Sequence, residues 1–357
     1  MSLKVGIIGL PNVGKSTLFN AIMGRQQALT APYPFATVQP NVGVVDVPDE
    51  RLVKLRDAMF PTAENNEQKT ENNDQNKFPR PPLVFSAITF VDIAGLVKGA
   101  AEGQGLGNQF LSHIRDVDVI VHVLRDFEDP DVPRHQDSKN PEYDAEIVKT
   151  ELGLKDLEVE ERAKNSNKET PASKLRESPS RLADKPVIYA VNVGEEKLSD
   201  QIAKRSNLAI WQGRTLIYFC AKLEEEISKL PQNEQKEFIK MYGLKTSGLD
   251  RIIAECYSLL GLISFFTAPA SAKAPAGQAG KWEVRAWPVR RDSLAPQAAG
   301  VIHSDFERLF IRAVIIGWEK MIAAGSWQGA KEKGWIKTEG KDYIIQDGDV
   351  CNFLVGK

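Results

Sequence analysis

The sequence has few of the residues that build disulfide frameworks, metal clusters and membrane spans. Its 357 residues include only three cysteines, Cys220, Cys256 and Cys351, and an odd number without metal-binding spacing argues against a disulfide scaffold or a zinc site. No apolar run reaches the length of a membrane span, and the apolar N-terminal stretch predicts a first strand rather than a signal peptide. We therefore expect a soluble, cytoplasmic protein.

Net charge is also small. The formal value of −2 argues against a chain that coats nucleic acid, and we expect neither DNA nor a membrane as a partner. The charge is unevenly placed, because residues 262–357 contain 13 Lys and Arg against 10 Asp and Glu, a surplus of +3 that leaves −5 for the rest. This split gives weak support for contact with RNA. With 42% hydrophobic and 26% charged residues, the chain can bury more than one core, and we expect two or three domains.

The most specific pattern is GLPNVGKST at residues 9–17, which fits G-x-x-x-x-G-K-[ST] and lies between an apolar strand pattern and a helix pattern. In such a loop the backbone N–H groups and the helix start point at one anion. Lys15 is expected to reach the β- and γ-phosphates, and the Ser16 hydroxyl to ligate Mg²⁺. The residues expected to hold the triphosphate are Asn12, Val13, Gly14, Lys15, Ser16 and Thr17.

Two later segments supply the other parts of a phosphate-loop switch. The β-branched run at residues 88–92 ends in Asp92-Ile93-Ala94-Gly95, a D-x-x-G pattern in which Asp92 holds a water on Mg²⁺ and the Gly95 N–H meets the γ-phosphate. Thr37 lies between the two motifs, about twenty residues after Lys15. Its hydroxyl and N–H are suited to join Mg²⁺ and the γ-phosphate, although alone it would be an ordinary loop threonine.

The base-reading segment departs from that of a GTPase. A buried-strand pattern at residues 185–191 is followed by Asn192-Val193-Gly194-Glu195, where a GTPase has Asn-Lys-x-Asp. Val193 removes the lysine stem that covers the base, and Glu195 is one methylene too long to take the place of the guanine-reading aspartate. The alternative is an unrelated polar turn after a strand. Downstream, a last strand at residues 215–219 is expected to end in the loop Cys220-Ala221-Lys222, positioned to close over the base.

These motifs resemble the Obg-like ATPase, or YchF, family. The resemblance rests on five segments: GLPNVGKST (9–17), FVDIAGLVKGA (90–100), GLGNQFL (105–111), EVRAW (283–287) and APQAAGVIHSDFE (295–307). It implies an α/β fold, a TRAFAC-class P-loop NTPase with a Ras-like G domain, a helical hairpin insertion and a C-terminal TGS domain of β-grasp fold. It also implies hydrolysis of ATP in preference to GTP and association with ribosomes.

Breaks in the pattern divide the chain. We expect the nucleotide-binding domain at residues 1–130 and 185–262, a truncated coiled-coil insertion at 131–184 and the TGS domain at 263–357. Residues 61–82 are typical of a disordered surface loop, and residues 268–280, rich in Ala, Pro and Gly, predict a flexible extension. Helical spacing is expected over 146–162, 248–262 and 305–315, and a last hairpin is expected to turn at 347–348 between strands 343–346 and 350–355.

The residue after D-x-x-G bears on the mechanism. It is Leu96, which cannot orient the attacking water as the glutamine of Ras-like enzymes does. The resemblance suggests a loop histidine after the fourth strand, and His135 is the candidate. An ordinary solvated loop histidine is the alternative, with His113 as the next candidate and His122 as a structural residue. Asn12 resembles the asparagine that helps related proteins bind K⁺ beside the phosphates.

The sequence thus predicts an Mg²⁺-dependent ATPase, with K⁺ as a possible second cation, that hydrolyses ATP slowly and acts as a conformational switch on the ribosome, touching rRNA and ribosomal proteins. Two other functions remain open. One is a GTPase, and the other is an ATP-sensing ribosome-binding module that does not hydrolyse ATP.

Overall fold

The structure, a computed structural model, describes residues 3–29, 42–61, 80–93, 113–136, 138–165, 181–198, 209–211, 213–270 and 282–356. The chain forms two compact units. Unit 1 comprises Met1–Val45 and Ile88–Leu260, and unit 2 comprises Asp46–Ala87 and Gly261–Lys357.

The strands are β1 (Lys4–Ile8), β2 (Val42–Asp46), β3 (Leu83–Val84), β4 (Ala87–Asp92), β5 (Val119–Asp126), β6 (Val187–Val193), β7 (Ala209–Trp211), β8 (Arg214–Phe219), β9 (Leu262–Thr267), β10 (Val284–Arg290), β11 (Phe310–Gly317), β12 (Lys337–Glu339) and β13 (Asp349–Val355). The helices are α1 (Lys15–Leu29), α2 (Glu50–Met59), α3 (Pro141–Asn165), α4 (Ala221–Ser228), α5 (Gln232–Met241), α6 (Gly248–Leu259), α7 (Ala295–Ile302), α8 (Ser304–Arg308), α9 (Trp318–Ala324) and α10 (Trp327–Glu332), with a 3₁₀ turn at Leu182–Asp184.

Unit 1 is built on a seven-stranded sheet in the order β2-β4-β1-β5-β6-β8-β7. Strands β4, β1, β5, β6 and β8 are parallel to one another in that order, and β7 is antiparallel to β8. Seven of the eight residues of β5 are buried, as expected of a parallel strand covered on both faces. Because parallel strands end at the same edge, the loops after β1, β4, β5, β6 and β8 meet there, and ligands of open α/β sheets bind at such an edge.

Unit 2 combines two distant stretches of the chain. Its six-stranded sheet has the order β12-β11-β13-β9-β10-β3, and the short strand β3 pairs in parallel with β10. Helix α2, capped by the Asp49 carboxylate accepting from the Arg51 N–H, buries Leu52 and Leu55 in a cluster with Phe266 and other C-terminal residues. Residues 46–87, which the sequence-based division assigned to the nucleotide-binding domain, therefore pack with the C-terminal part.

Several sequence expectations can be compared with these elements. The predicted α/β fold of the phosphate-loop type is confirmed in unit 1. Helices α3 and α6 occupy most of the predicted spans 146–162 and 248–262. The predicted loop at 61–82 and extension at 268–280 lie largely outside the described residues, as does the rest of the insertion after α3.

The predicted helix over 305–315 is wrong beyond α8. From Phe310 the chain forms β11, which pairs with both β12 and β13. The β-branched residues of this segment favour a strand over a helix. The predicted hairpin at 343–355 is wrong in its first strand. Its second strand, β13, pairs with β11 and β9 instead, and Asp349 accepts hydrogen bonds from the Tyr343 hydroxyl (3.0 Å) and the Gln346 N–H (2.9 Å).

None of the helices in the described part of the chain is both long enough and apolar enough to cross a membrane.

Candidate nucleotide-binding site

The loop between β1 and α1 has the backbone conformation that its glycines predict. Gly9 and Gly14 have φ angles of 151° and 101°, and Asn12 has φ 61°. A Cβ atom on Gly9 would lie 2.5 Å from the Val123 carbonyl oxygen, and one on Gly14 would collide with the Asn192 side chain. Both positions therefore require glycine, since strain and close packing act together.

Lys15, at the end of this loop, interacts electrostatically with Asp92, the last residue of β4. The Lys15 side chain is 9% exposed, and its ammonium donates to the Leu10 carbonyl at 2.7 Å. Burial lowers the pKa of Lys15 and raises the pKa of Asp92, and each charge partly offsets the effect on the other. The two groups favour each other's ionised forms in a partly dehydrated site.

Magnesium would suit the chemistry of these residues. Asp92 Oδ1 is buried and accepts no hydrogen bond from the described residues. A buried carboxylate oxygen without a donor fits a role in holding a metal-bound water. Ser16 is exposed and lines the cleft described below, so its hydroxyl is accessible to a cation. Thr37, Gly95 and Leu96, the other predicted switch residues, lie outside the described residues.

Asn192 joins two loops of the site. At the end of β6, its Nδ2 donates to the Val13 carbonyl at 3.0 Å, while its Oδ1 accepts from the Ala221 N–H at 2.9 Å. The side chain is almost fully buried. Both ends of the amide are thus used to hold the phosphate loop against the start of α4, which is a structural role at the position predicted to bind nucleotide.

The other base-end residues have different surroundings. Val193 and Cys220 have side chains in a hydrophobic cluster, and burial raises the pKa of the Cys220 thiol. Glu195 is exposed at the cleft, and the phenol pKa of Tyr242 is raised first by burial and then by the Glu195 carboxylate. Ala221 and Lys222, predicted as a loop, form the first turn of α4.

Unit 1 contains a cleft of about 760 Å³ at the phosphate loop and the base-end residues. Its lining residues come from four segments of the chain: 12–17, 127–132, 192–196 and 220–225. This volume is within the usual range for sites that bind small ligands. Of the predicted nucleotide-binding residues, Asn12, Gly14, Lys15, Ser16, Thr17, Asn192, Val193, Glu195 and Cys220 line it, and Val13 contributes the carbonyl that Asn192 holds.

The wall formed by residues 127–132 was not predicted. It depends on Arg125, which is 2% exposed at the end of β5 and donates to the carbonyls of Val132, Phe127 and Asn12. The sequence does indicate that Arg125 has a structural role, because an arginine inside the apolar run VIVHVLRD needs hydrogen-bond acceptors when the strand is buried.

The histidines have different locations. His135 is half-buried in the loop after β5 and is not among the residues that line the cleft, so its assignment to the water stays a prediction. His113 is exposed, and His122 is buried in β5 with its ring 5.6 Å from that of Tyr189, which fits a structural role. His303 caps α8 by accepting from the Asp305 N–H at 3.1 Å.

A strand, a glycine-bearing phosphate loop and a helix at the carboxyl edge of a parallel sheet define a P-loop nucleoside-triphosphate-binding protein. Residues 4–193 match a family described as "50S ribosome-binding GTPase". Residues 262–356 match the C-terminal family of YchF GTPases, described as "Protein of unknown function (DUF933)".

Full-length relatives agree with this class. The chain is 41% identical to the ribosome-binding ATPase YchF of Bacillus subtilis and 39% identical to that of Escherichia coli O157:H7, with 99% of each chain covered in both cases. It also matches the structure of the Schizosaccharomyces pombe YchF GTPase with a TM-score of 0.74 and 31% identity, over 99% of this chain and 98% of the other. The chain belongs to the YchF family.

Proposed function

We propose that the chain is an Mg²⁺-dependent ATPase that hydrolyses ATP slowly and works as a conformational switch on the ribosome. The observation that carries the proposal is the cleft, which is lined by the phosphate loop with its buried Lys15 and by Asn192, the residue that joins this loop to the start of α4. Full-length similarity to proteins named ribosome-binding ATPases supports it. We place its action in the cytoplasm, on rRNA and ribosomal proteins rather than DNA.

The preference for ATP rests on the residues at the base end. The relatives' names differ on this point, since the curated bacterial proteins are named ATPases and the yeast structure is described as a GTPase. Val193 and Glu195 replace the lysine and aspartate with which GTPases read guanine.

We assign Mg²⁺ to Ser16 and Thr37, with Asp92 acting through a water. When bound, the metal neutralises charge on the β- and γ-phosphates. The Lys15 ammonium, which is buried and donates to the Leu10 carbonyl, would provide the second positive charge. Asn12, with its left-handed backbone at the mouth of the loop, is our candidate for a K⁺ ligand.

Hydrolysis requires a positioned water. Leu96 cannot hydrogen-bond to it, so we propose that His135 does. Support comes from the loop itself, because the Asn12 side chain donates to the Pro133 carbonyl at 3.1 Å, two residues before His135. This bond ties the start of the histidine segment to the phosphate loop.

We also propose the finer domain assignment. Residues 131–184 form a shortened helical insertion of the Obg-like type, and 263–357 form the TGS domain. The alignment to the B. subtilis relative spans 393 positions against 357 residues here, so at least 36 of its positions have no residue in this chain. A shortened insertion accounts for such a difference.

Titration of the purified chain with ATP and GTP, with phosphate release followed in parallel, tests the enzymatic part. We expect tighter binding of ATP, with release only when Mg²⁺ is present. Tighter binding of GTP would establish the GTPase alternative, and ATP binding without any release would establish the non-hydrolysing sensor. Co-sedimentation of the full chain with ribosomes, weakened by added salt because RNA contacts release counterions, tests the partner.

A further inference from the structure

Arg125 is the largest side chain among the fully buried residues of the described chain, and the proposed function gives it no task. It is the second-last residue of β5, which lies between β1 and β6 in the sheet. Its guanidinium contacts both the phosphate loop and the loop that follows β5. Burying a cation at such a position is costly unless each of its donors is used.

The hydrogen-bond acceptors of Arg125 are all backbone carbonyl oxygens, and they come from two loops. Nη2 donates to Val132 at 2.9 Å, Nε to Phe127 at 3.2 Å and Nη1 to Asn12 at 3.4 Å. The guanidinium also lies over the Phe127 ring, 4.2 Å from its centroid. One planar group thus holds both ends of the segment 127–132 and the tip of the phosphate loop. A lysine could not reproduce this fork.

A second bond joins the same two loops from outside. The Asn12 Nδ2 donates to the Pro133 carbonyl at 3.1 Å. Phe127, Glu128, Asp129 and Val132 line the cleft opposite the start of α4. The part of the site formed by these four residues thus depends on how residues 127–133 are held against the phosphate loop.

We propose that Arg125 is a positioning residue that fixes segment 127–133 against the phosphate loop and so forms one wall of the nucleotide site. This inference rests on the proposed nucleotide binding. The wall exists without nucleotide and does not depend on the γ-phosphate, so its loss affects ATP and ADP alike. The role is separate from the chemistry that we assign to His135.

The test compares Arg125→Lys with a matched control, Arg134→Lys. Arg134 belongs to the same loop, but its bonds go to Glu128, Ser138 and Lys139, not to the phosphate loop. Hydrogen exchange of the nucleotide-free proteins should show amides 127–133 and 11–14 exchanging about tenfold faster in Arg125→Lys, because several hydrogen bonds are lost together. In the control, amides 11–14 should exchange as in the unmodified chain, because none of the Arg134 bonds reaches the phosphate loop.

Affinity for ATP and ADP is measured on the same samples. We expect both to fall about tenfold in Arg125→Lys, and neither to change in the control. Unchanged exchange in the two segments, or faster exchange with unchanged affinity, would overturn the proposal. If the unmodified chain bound no nucleotide, the proposed function would fail, whereas the exchange data would still decide whether Arg125 holds the loop.

A second variant protects the test against misfolding of the buried substitution. Asn12 is exposed and has φ 61°, so Asn12→Gly keeps the backbone conformation and removes only the side-chain bond to Pro133. Measured in sodium buffer to exclude any K⁺ contribution, it should speed exchange of 127–133 in the same direction by a smaller factor. Unaltered exchange in this variant as well would show that the two loops are not coupled.

Discussion

Glu224 should make the stability of unit 1 depend on pH. Its carboxylate is 4% exposed in α4 and accepts from the Gly248 N–H at 2.6 Å, at the start of α6. Burial raises the pKa of Glu224 from 4.5 to about 7, helped by Asp250 and opposed by the Gly248 and Leu249 N–H groups and by Arg25. The neighbouring Arg251 also faces it.

The direction follows from proton linkage. Since the folded-state pKa is above the unfolded one, the folded chain holds the proton between pH 4.5 and about 7 while the unfolded chain releases it. The free energy of unfolding therefore falls as pH rises through this window and is independent of this group above it. A shift of this size corresponds to about 3 kcal/mol, most of which is lost between pH 5 and 8.5.

Glu224→Gln removes the titration and keeps a carbonyl oxygen for the Gly248 N–H. Relative to the unmodified chain, the variant should gain about 2–3 kcal/mol between pH 5 and 8.5. Urea unfolding at each pH, read by pulsed hydrogen exchange in peptides from α4 and α6, reports on unit 1 alone. The exposed Glu226 on the same helix supplies the control, Glu226→Gln. Parallel stability curves for Glu224→Gln and the unmodified chain would refute the reasoning.

Three further predictions concern the nucleotide. Val193→Lys with Glu195→Asp should move the binding preference from ATP toward GTP in a competition titration, and an unchanged ratio would contradict our assignment of the base-reading residues. Lys15→Ala should abolish turnover, whereas Ser16→Ala should mainly raise the Mg²⁺ concentration needed for half-maximal phosphate release; a normal Mg²⁺ dependence of Ser16→Ala would exclude it as a ligand. His135→Ala should lower kcat about 10²-fold with little change in ATP affinity, and an unaltered single-turnover rate would leave the water to another group.

The parts of the site that sequence reasoning predicted are local in the chain. A phosphate loop is specified by its own glycines and flanking patterns, so Gly14, Lys15 and Ser16 could be placed without knowing the fold. Asn192 lines the cleft, and its predicted contact with nucleotide stays a prediction; its two bonds to distant backbone groups depend on strand order, which no short motif encodes. Arg125 was missed for a different reason. A charged residue inside an apolar strand predicts that its side chain has hydrogen-bond acceptors, but it does not predict which residues supply them.

The fold was predicted less well where periodicity is ambiguous. The run from Phe310 to Ile315 was predicted to be helical although its β-branched residues favour a strand, and tertiary pairing decided the outcome. The membership of residues 46–87 in unit 2 could not be predicted at all, since their partners begin at residue 261. Sequence separation of that length leaves no trace in a local pattern.

The composition of unit 2 has a consequence for biosynthesis. Helix α2 leaves the ribosome about 200 residues before the strands that cover Leu52 and Leu55, a delay on the order of ten seconds or more at ordinary rates of translation. During that interval unit 1 can complete its own sheet, whereas the apolar side of α2 has no partner yet. Every shortened product that ends before β9 keeps that helix uncovered, and is thereby a target for chaperones and proteases. The apolar surface of α2, synthesised early, is therefore buried only when the C-terminal strands have also been synthesised.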